Sequence, residues 1–425
     1  MKNVLIFPCG SEIGLEIHNA LKYSKDFKLF GGSSVDNHGK FVFKNYIGNF
    51  PYIDDNEFLY FLNKIIKEND IDLIYPAHDD VVLKLATLKD KIGAEVVVSS
   101  KETCEICRSK NNTYKFFSNE YFNPIVYNKE DEIDFPVFLK PNIGQGSKGV
   151  HIVKNKEELC FFLNENPDLT IVEYLPGKEY TIDCFSKDDK ILFVGKRERI
   201  RVKDGISVNA KTLDTDEKVK KIAEVINDKL SLRGAWFFQL KIDKSGNYKL
   251  LEVAPRIAGT MSLYRNKGIN FPLLTLYCFL NIDIKISPNI NNLTIDRALT
   301  NKFEQKIDYE RVFVDFDDTL IFNGKINSFL IMFLYQCVNE KKEIILITKH
   351  KYDISRTLKK FKIDVNLFDK IIHVEPNENK YEFIDENISS IFIDDSFSER
   401  EEILKHFKFP VFDLDAIESL LNWKM

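Results

Sequence analysis

Residues 311–320 read RVFVDFDDTL and set three carboxylates, Asp315, Asp317 and Asp318, at the end of an apolar run. Charges this close repel one another, so the stretch calls for a cation or for chemistry. A second acidic pair, Asp394 and Asp395, ends the apolar run of SIFIDDSFSER (390–400), and EIILITKH (343–350) ends a third run near the hydroxyl of Thr348. A carboxylate can attack phosphorus and form an aspartyl phosphate, and a divalent cation then offsets the crowded negative charge. The plainer alternative is that each aspartate pair caps a helix, which is common for one pair and strained for both.

A different constellation lies upstream. FPVFLKPNIGQGSKGVHIV (135–153) carries Lys140 at the end of a predicted strand, followed by a glycine-rich loop. Such a loop brings backbone N–H groups close to phosphate oxygens, and a lysine adds a point charge. The loop lacks the GK[ST] ending of a P-loop. LTIVEYLPGKEYTIDCF (169–185) offers Glu173 and Glu179, AWFFQLKID (235–243) offers Gln239, and YKLLEVAPRIAGT (248–260) offers Glu252 and then Arg256 at a turn. Singly, Glu173 could pair across a sheet, Gln239 could sit exposed on a strand, and Arg256 could bridge a surface carboxylate. Together and in order, they supply what a nucleotide with magnesium needs: a phosphate cradle, oxygen ligands and an arginine for charge on a moving phosphoryl group.

These residues need strands to present them. From residue 1 to about 100, short apolar runs alternate with helical patterns, which predicts a parallel α/β sheet. Gly10 and Gly14 follow the first run without forming GxGxxG, so a tight strand-to-helix turn is favoured over a dinucleotide site. His78, Asp79 and Asp80 in YPAHDD read as a helix cap, with a cleft lining as the alternative. At 425 residues the chain has room for about two to four domains. A hydrophobic fraction of 44% beside a charged fraction of 29% allows buried cores in a soluble protein. A net charge of -5 gives no reason to expect nucleic acid or an anionic membrane as a partner. Seven scattered cysteines argue against a disulfide framework; Cys104 and Cys107 read as ordinary thiols on a helix, with redox chemistry as the alternative. MKNVLIFPCG reads as a first strand rather than a signal peptide, and FPLLTLYCFL (271–280) is too short to span a bilayer. A cytoplasmic protein is expected.

The order SKNNT (109–113), FLKPNIGQGSKGV, VEYLPGKEYTID, FFQLKID and LEVAPR resembles the ATP-grasp superfamily, in the branch of carbamoyl phosphate synthetase large subunits and biotin carboxylase. The resemblance implies that Lys110 and Lys140 contact ATP phosphates under a loop containing Gly144, Gly146, Ser147 and Gly149. It implies adenine on the backbone of Glu173, Tyr174 and Leu175, ribose on Glu179, Mg²⁺ on Gln239 and Glu252 (Mn²⁺ is an alternative), and Arg256 near the transferred phosphoryl group. Where the family pattern ExNPR has an asparagine, this chain has Ala254. The rear block resembles the haloacid-dehalogenase (HAD) phosphatases. That resemblance implies Asp315 as nucleophile, Asp317 as acid/base, Thr348 and Lys380 on the phosphoryl group (with Lys370 a less convenient lysine), and Asp315, Asp317, Asp394 and Asp395 around a metal. The short span from Asp315 to Thr348 leaves no room for an inserted cap domain.

The expectation is therefore an α/β chain in three parts. A Rossmann-like pre-ATP-grasp domain occupies 1–100, an α+β ATP-grasp domain 101–305, and a capless HAD-like doubly wound domain 306–425. The reading is a carboxylate–amine ligase working through an acyl phosphate on small-molecule substrates, joined to a phosphohydrolase acting on a phosphorylated substrate. A homodimer is compatible with it, and neither nucleic acid nor membrane is a partner. An ATP-grasp kinase, a nicotinamide-dependent oxidoreductase and a non-catalytic scaffold are the rivals.

Overall fold

The structure is a computed structural model that describes residues 1–424 apart from 145, 147, 290, 291, 304 and 306. The chain divides into two compact units, Met1–Leu299 and Thr300–Met425.

The first unit opens with a five-stranded parallel sheet. Its strands lie in the order Asn45–Ile47, Phe27–Gly32, Lys2–Phe7, Leu73–Pro76 and Glu95–Val96. The central strand is buried along Val4–Ile6, as a parallel strand covered on both faces must be. The turn that follows it is shaped by packing. A Cβ on Gly10 would lie 1.9 Å from Asn37 Oδ1, and one on Gly14 would lie 2.6 Å from the Pro8 carbonyl oxygen. Ser11 caps the helix Glu12–Leu21 by accepting from the Gly14 N–H at 3.0 Å. Cys104 and Cys107 are free thiols on the helix Lys101–Arg108. Burial pushes the Cys104 thiol up to about 12 and raises Cys107 as well, which suits inert thiols.

Two antiparallel sheets follow. The smaller runs Val126–Tyr127, Leu169–Glu173, Val137–Pro141, His151–Val153. The larger runs Tyr248–Ala254, Gly234–Ile242, Glu179–Lys187, Lys190–Lys203, Ile206–Leu213, Thr294–Asp296. The helix Glu217–Lys229 covers the larger sheet with Val219, Ile222, Ala223 and Ile226, a stripe at helical spacing. Asp216 caps it by accepting from Val219 N–H at 3.1 Å. The apolar stretch 271–280 forms the helix Phe271–Phe279, packed in the core. Among the described residues no helix is long and apolar enough to cross a membrane.

The second unit holds a five-stranded parallel sheet in the order Lys370–His373, Glu343–Thr348, Arg311–Val314, Ser390–Ile393, Val411–Phe412. Alternate residues of the central strands serve two cores. Val312, Val314, Leu346 and Ile393 enter one; Phe313, Ile345, Ile347 and Phe392 enter the other. Both faces are covered, so the strands read as continuous apolar runs and end abruptly in polar residues.

One polar element lies inside the larger antiparallel sheet. Arg197 and Asp183 are both fully buried; Arg197 Nη2 donates to Asp183 Oδ1 at 3.0 Å, and Nε and Nη1 reach Asp183 and Thr260. Removing one partner of such a pair strands a buried charge. Arg197→Met is expected to cost about 3–5 kcal/mol, read as a lower urea midpoint. Arg197→Met combined with Asp183→Leu should recover most of that loss. A single variant as stable as the parent would show that the pair contributes nothing.

Candidate functional sites

A cleft of about 260 Å³ opens in the first unit. The smaller antiparallel sheet supplies Phe138, Lys140, Ile152, Val172 and Glu173 to its walls, and the larger supplies Glu179, Arg199, Gln239, Lys241 and Glu252. Gln239 and Glu252 are direct partners across neighbouring antiparallel strands, which sets an amide oxygen beside a carboxylate. Glu179 lies opposite Lys241 in the pairing on the other edge of the strand Gly234–Ile242.

The cleft is rich in cations held at a cost. Lys140 is buried; its ammonium donates to the Tyr114 hydroxyl and stands 4.7 Å from that ring's centre. Burial, with the positive charge of Lys110 adding to it, pushes Lys140 down to about 7, against the opposing pull of Glu252 and Glu179. Burial lowers Lys110 too, and Glu252 partly offsets it. Lys110 donates to the Gly144 carbonyl at 3.4 Å. Cations left short of compensation in a polar pocket are suited to an anionic guest.

Residues 165–299 match the family described as ATP-grasp in the biosynthetic pathway with Ter operon. The arginine-specific carbamoyl phosphate synthase large chain of Bacillus subtilis is 26% identical over 235 residues, covering 50% of this chain and 23% of that one. A D-alanine–D-alanine ligase of Petrotoga mobilis is 28% identical over 163 residues, covering 34% and 55%. The chain thus spans well under two thirds of the length of these relatives. Among solved structures, the biotin carboxylase domain of Hydrogenobacter thermophilus 2-oxoglutarate carboxylase, bound to MgADP and bicarbonate, superposes with a TM-score of 0.57 at 16% identity, covering 68% of this chain and 71% of that one. An L-amino acid ligase from Bacillus licheniformis gives 0.53 at 18%, covering 66% and 74%. The chain contains an ATP-grasp fold.

The cleft gathers Lys110, Lys140, Gly144, Gly146, Glu173, Tyr174, Leu175, Glu179, Gln239 and Glu252. Ser147 lies outside the described residues, and Gly149 is near the cleft without lining it. The Glu173 carboxylate is turned to the backbone, where Ile125 N–H donates to it at 2.9 Å. Tyr174 and Leu175 beside it also line the cleft. Ala254 is buried on the strand beside Phe237 and brings no side-chain ligand atom. Arg256 stands apart from the cleft lining. Its Nε and Nη2 both donate to the Asp79 carboxylate at 2.6 Å, a bidentate grip. The cap reading of 78–80 holds for His78, and the two aspartates add long-range partners. His78 caps the helix Asp79–Leu88, accepting from Asp80 N–H at 3.3 Å, whereas Asp79 holds Arg256 and Asp80 holds Arg108 at 2.6 Å.

In the second unit the acidic residues converge at the carboxyl ends of two adjacent parallel strands, where such sheets place their sites. Carboxylate oxygens of Asp315, Asp394 and Asp395 lie within 4.8 Å of one another. Lys380 donates to Asp315 at 2.6 Å and to Asp394 at 2.7 Å, both pairs being buried. Three converging carboxylates suit a hard divalent cation. Asp317 departs from the expected metal set: its exposed carboxylate meets His350 Nδ1 at 2.8 Å. Thr348 is fully buried, and its hydroxyl accepts from His350 N–H at 3.2 Å. Thr319 donates to Asp395 at 2.9 Å and so ties the first acidic motif to the last. Lys370 begins the edge strand, whereas Lys380 is in the site.

Sequence reading missed Tyr114, Arg199, Asp79 as the partner of Arg256, and His350. Only His350 carried a signal, two positions beyond Thr348 at a strand end. Burial, and behind it the neighbouring Asp394, push Asp315 up to about 7, while Lys380 pulls the other way. Its folded value thus exceeds the unfolded one, so protonation stabilises the fold and stability falls as pH rises through about 7. Asp315→Asn should therefore melt roughly 2–4 °C higher than the parent at pH 8.5 without divalent cations, with the gap narrowing below pH 7 and closing toward about pH 4, the unfolded carboxyl's own range. A gap that widens on acidification would contradict this electrostatic account.

Proposed function

We propose that the first unit is an ATP- and Mg²⁺-dependent ligase that joins a small-molecule carboxylate to an amine. The observation that carries the reading is the convergence of two depressed lysines with Gln239 and Glu252 in one cleft. Lys110 and Lys140 would take phosphate oxygens, Glu179 the ribose, and the main chain of 173–175 the adenine. Gln239 and Glu252 present oxygens that fit Mg²⁺, which would screen the phosphates. Arg256, oriented by Asp79, would meet charge developing on the transferred phosphoryl group. The substrate carboxylate attacks the γ-phosphorus, ADP leaves, and the amine then displaces phosphate from the acyl phosphate. Support comes from the ATP-grasp fold and from relatives named as ligases.

ADP release measured against panels of carboxylates and amines, with the masses of the products, tests this directly. A phosphorylated acceptor with no amine incorporated would identify a kinase instead. Lys140→Ala should weaken ATP binding by about 1–3 kcal/mol in calorimetry. In the parent, phosphate would raise the pKa of Lys140, so the complex holds more protons than the free protein above pH 7. Affinity should then fall as pH rises past about 7, with proton uptake that disappears in Lys140→Ala. Unchanged affinity in the folded variant would remove the phosphate role.

For the second unit the reading is a HAD-like phosphohydrolase acting on a phosphorylated substrate or product of the ligase. Asp315 would attack phosphorus, Lys380 would hold the phosphoryl group, and Asp317 would protonate the leaving oxygen with His350 orienting it. Asp315, Asp394 and Asp395 fit a Mg²⁺ ion that would neutralise charge there. Asp315→Asn should abolish hydrolysis of a generic aryl phosphate and leave ATP-dependent ligation intact. Wild-type protein inert with Mg²⁺ toward a broad phosphate-ester panel would leave the aspartates as a structural site only.

A further inference from the structure

Arg199 joins three other cleft-lining residues, and no motif pointed to it. Its side chain is 7% exposed. Nη1 donates to Glu179 and, at 3.0 Å, to Gln239 Oε1; Nη2 donates to the Gly205 carbonyl at 2.7 Å. Nε is buried and finds no acceptor among the described residues. A guanidinium with one donor unused is a costly choice if stability alone matters. The backbone also commits to this placement. The register between Lys190–Lys203 and Ile206–Leu213 slips between Arg199 and Arg201, the mark of a bulge. Ile200 there turns out to solvent while Arg199 keeps facing the cleft. Gly205 belongs to the tight turn joining those strands. Asp204 and Gly205 both have positive φ, of 50° and 72°, as a two-residue hairpin turn requires.

We propose that Arg199 is a positioning residue that locks the nucleotide-sugar and metal ends of the cleft to each other. One planar fork fixes the Glu179 carboxylate, the Gln239 amide and the hairpin tip that walls the cleft. A lysine has a single point of attachment and cannot span all three acceptors. Because Nη1 serves Glu179 and Gln239 together, disturbing it disturbs ribose recognition and metal recognition at once. A residue serving only the fold would not link those two properties. The inference rests on reading the cleft as a nucleotide site.

The test uses the full chain and calorimetric binding of ATP, 2′-deoxy-ATP and 3′-deoxy-ATP over a Mg²⁺ series. Wild type should prefer ATP over at least one deoxy analogue. In Arg199→Lys that preference should shrink toward unity, ATP binding should weaken on the order of tenfold, and more Mg²⁺ should be needed for half-maximal binding. Arg201→Lys, on the same strand but exposed and paired with Asp296, should change neither property. Arg199→Gln serves if the lysine variant fails to fold, with the same pattern expected. An Arg199 variant that binds more weakly yet keeps the parent's ribose preference and Mg²⁺ requirement overturns the positioning role alone. Wild type that binds no ATP overturns both this inference and the nucleotide-site reading.

Discussion

Both sites depend on one constraint: charges of like sign are buried together and only partly compensated. In the first unit Lys110 and Lys140 share a cleft in which burial outweighs the attraction of Glu252. In the second, Asp315 and Asp394 share one lysine between them. Isolated burial of such groups would be prohibitive. Each cluster therefore keeps internal counter-charges, enough to fold, and leaves a residual charge that a guest of opposite sign would relieve. The Arg197–Asp183 pair is the useful contrast. It is as deeply buried, but it is balanced and closed by Thr260, so it has nothing left to offer a ligand.

The two clusters are assembled differently. The rear site uses a single rule of parallel sheets: adjacent strands run the same way, so their carboxyl ends open on one edge. Asp315 and Asp394 each follow such a strand, and Thr348 ends one. The front cleft uses cross-strand register. Glu179 meets Lys241, and Gln239 meets Glu252, because antiparallel partners stand directly opposite one another. A one-residue slip would turn these side chains to the other face of the sheet. The buried Arg197–Asp183 contact lies farther along two of these strands, Glu179–Lys187 and Lys190–Lys203, where it favours a single register.

This difference explains what was legible in the sequence. Strand-end aspartates are visible because an apolar run stops at them, and the alternation of runs and helices marked the parallel sheets. A lysine before a glycine-rich loop was legible for the same local reason, as were Gln239 and Glu252 inside apolar strands. Tyr114, Arg199 and Asp79 were not. Each acts on a partner far along the chain: Tyr114 on Lys140, Arg199 on Glu179 and Gln239, Asp79 on Arg256. Their identities, a tyrosine on a short helix, an arginine in a basic strand and an aspartate at a helix start, each have an ordinary surface explanation.

The reading of Asp79 shows where local chemistry stops deciding. As the first residue of its helix, beside the macrodipole's positive end, it is well placed to stabilise that helix whatever else it does. The same position points its carboxylate at Arg256, which lies at the end of a strand in another sheet. Helix start and arginine clamp are therefore compatible uses of one side chain, and the sequence displays only the first. Burial raises the Asp79 carboxyl, yet the charges of Arg256 and Arg108 more than reverse it and hold it below the usual carboxylate range. Asp79 thus stays ionised and holds the Arg256 guanidinium in one orientation.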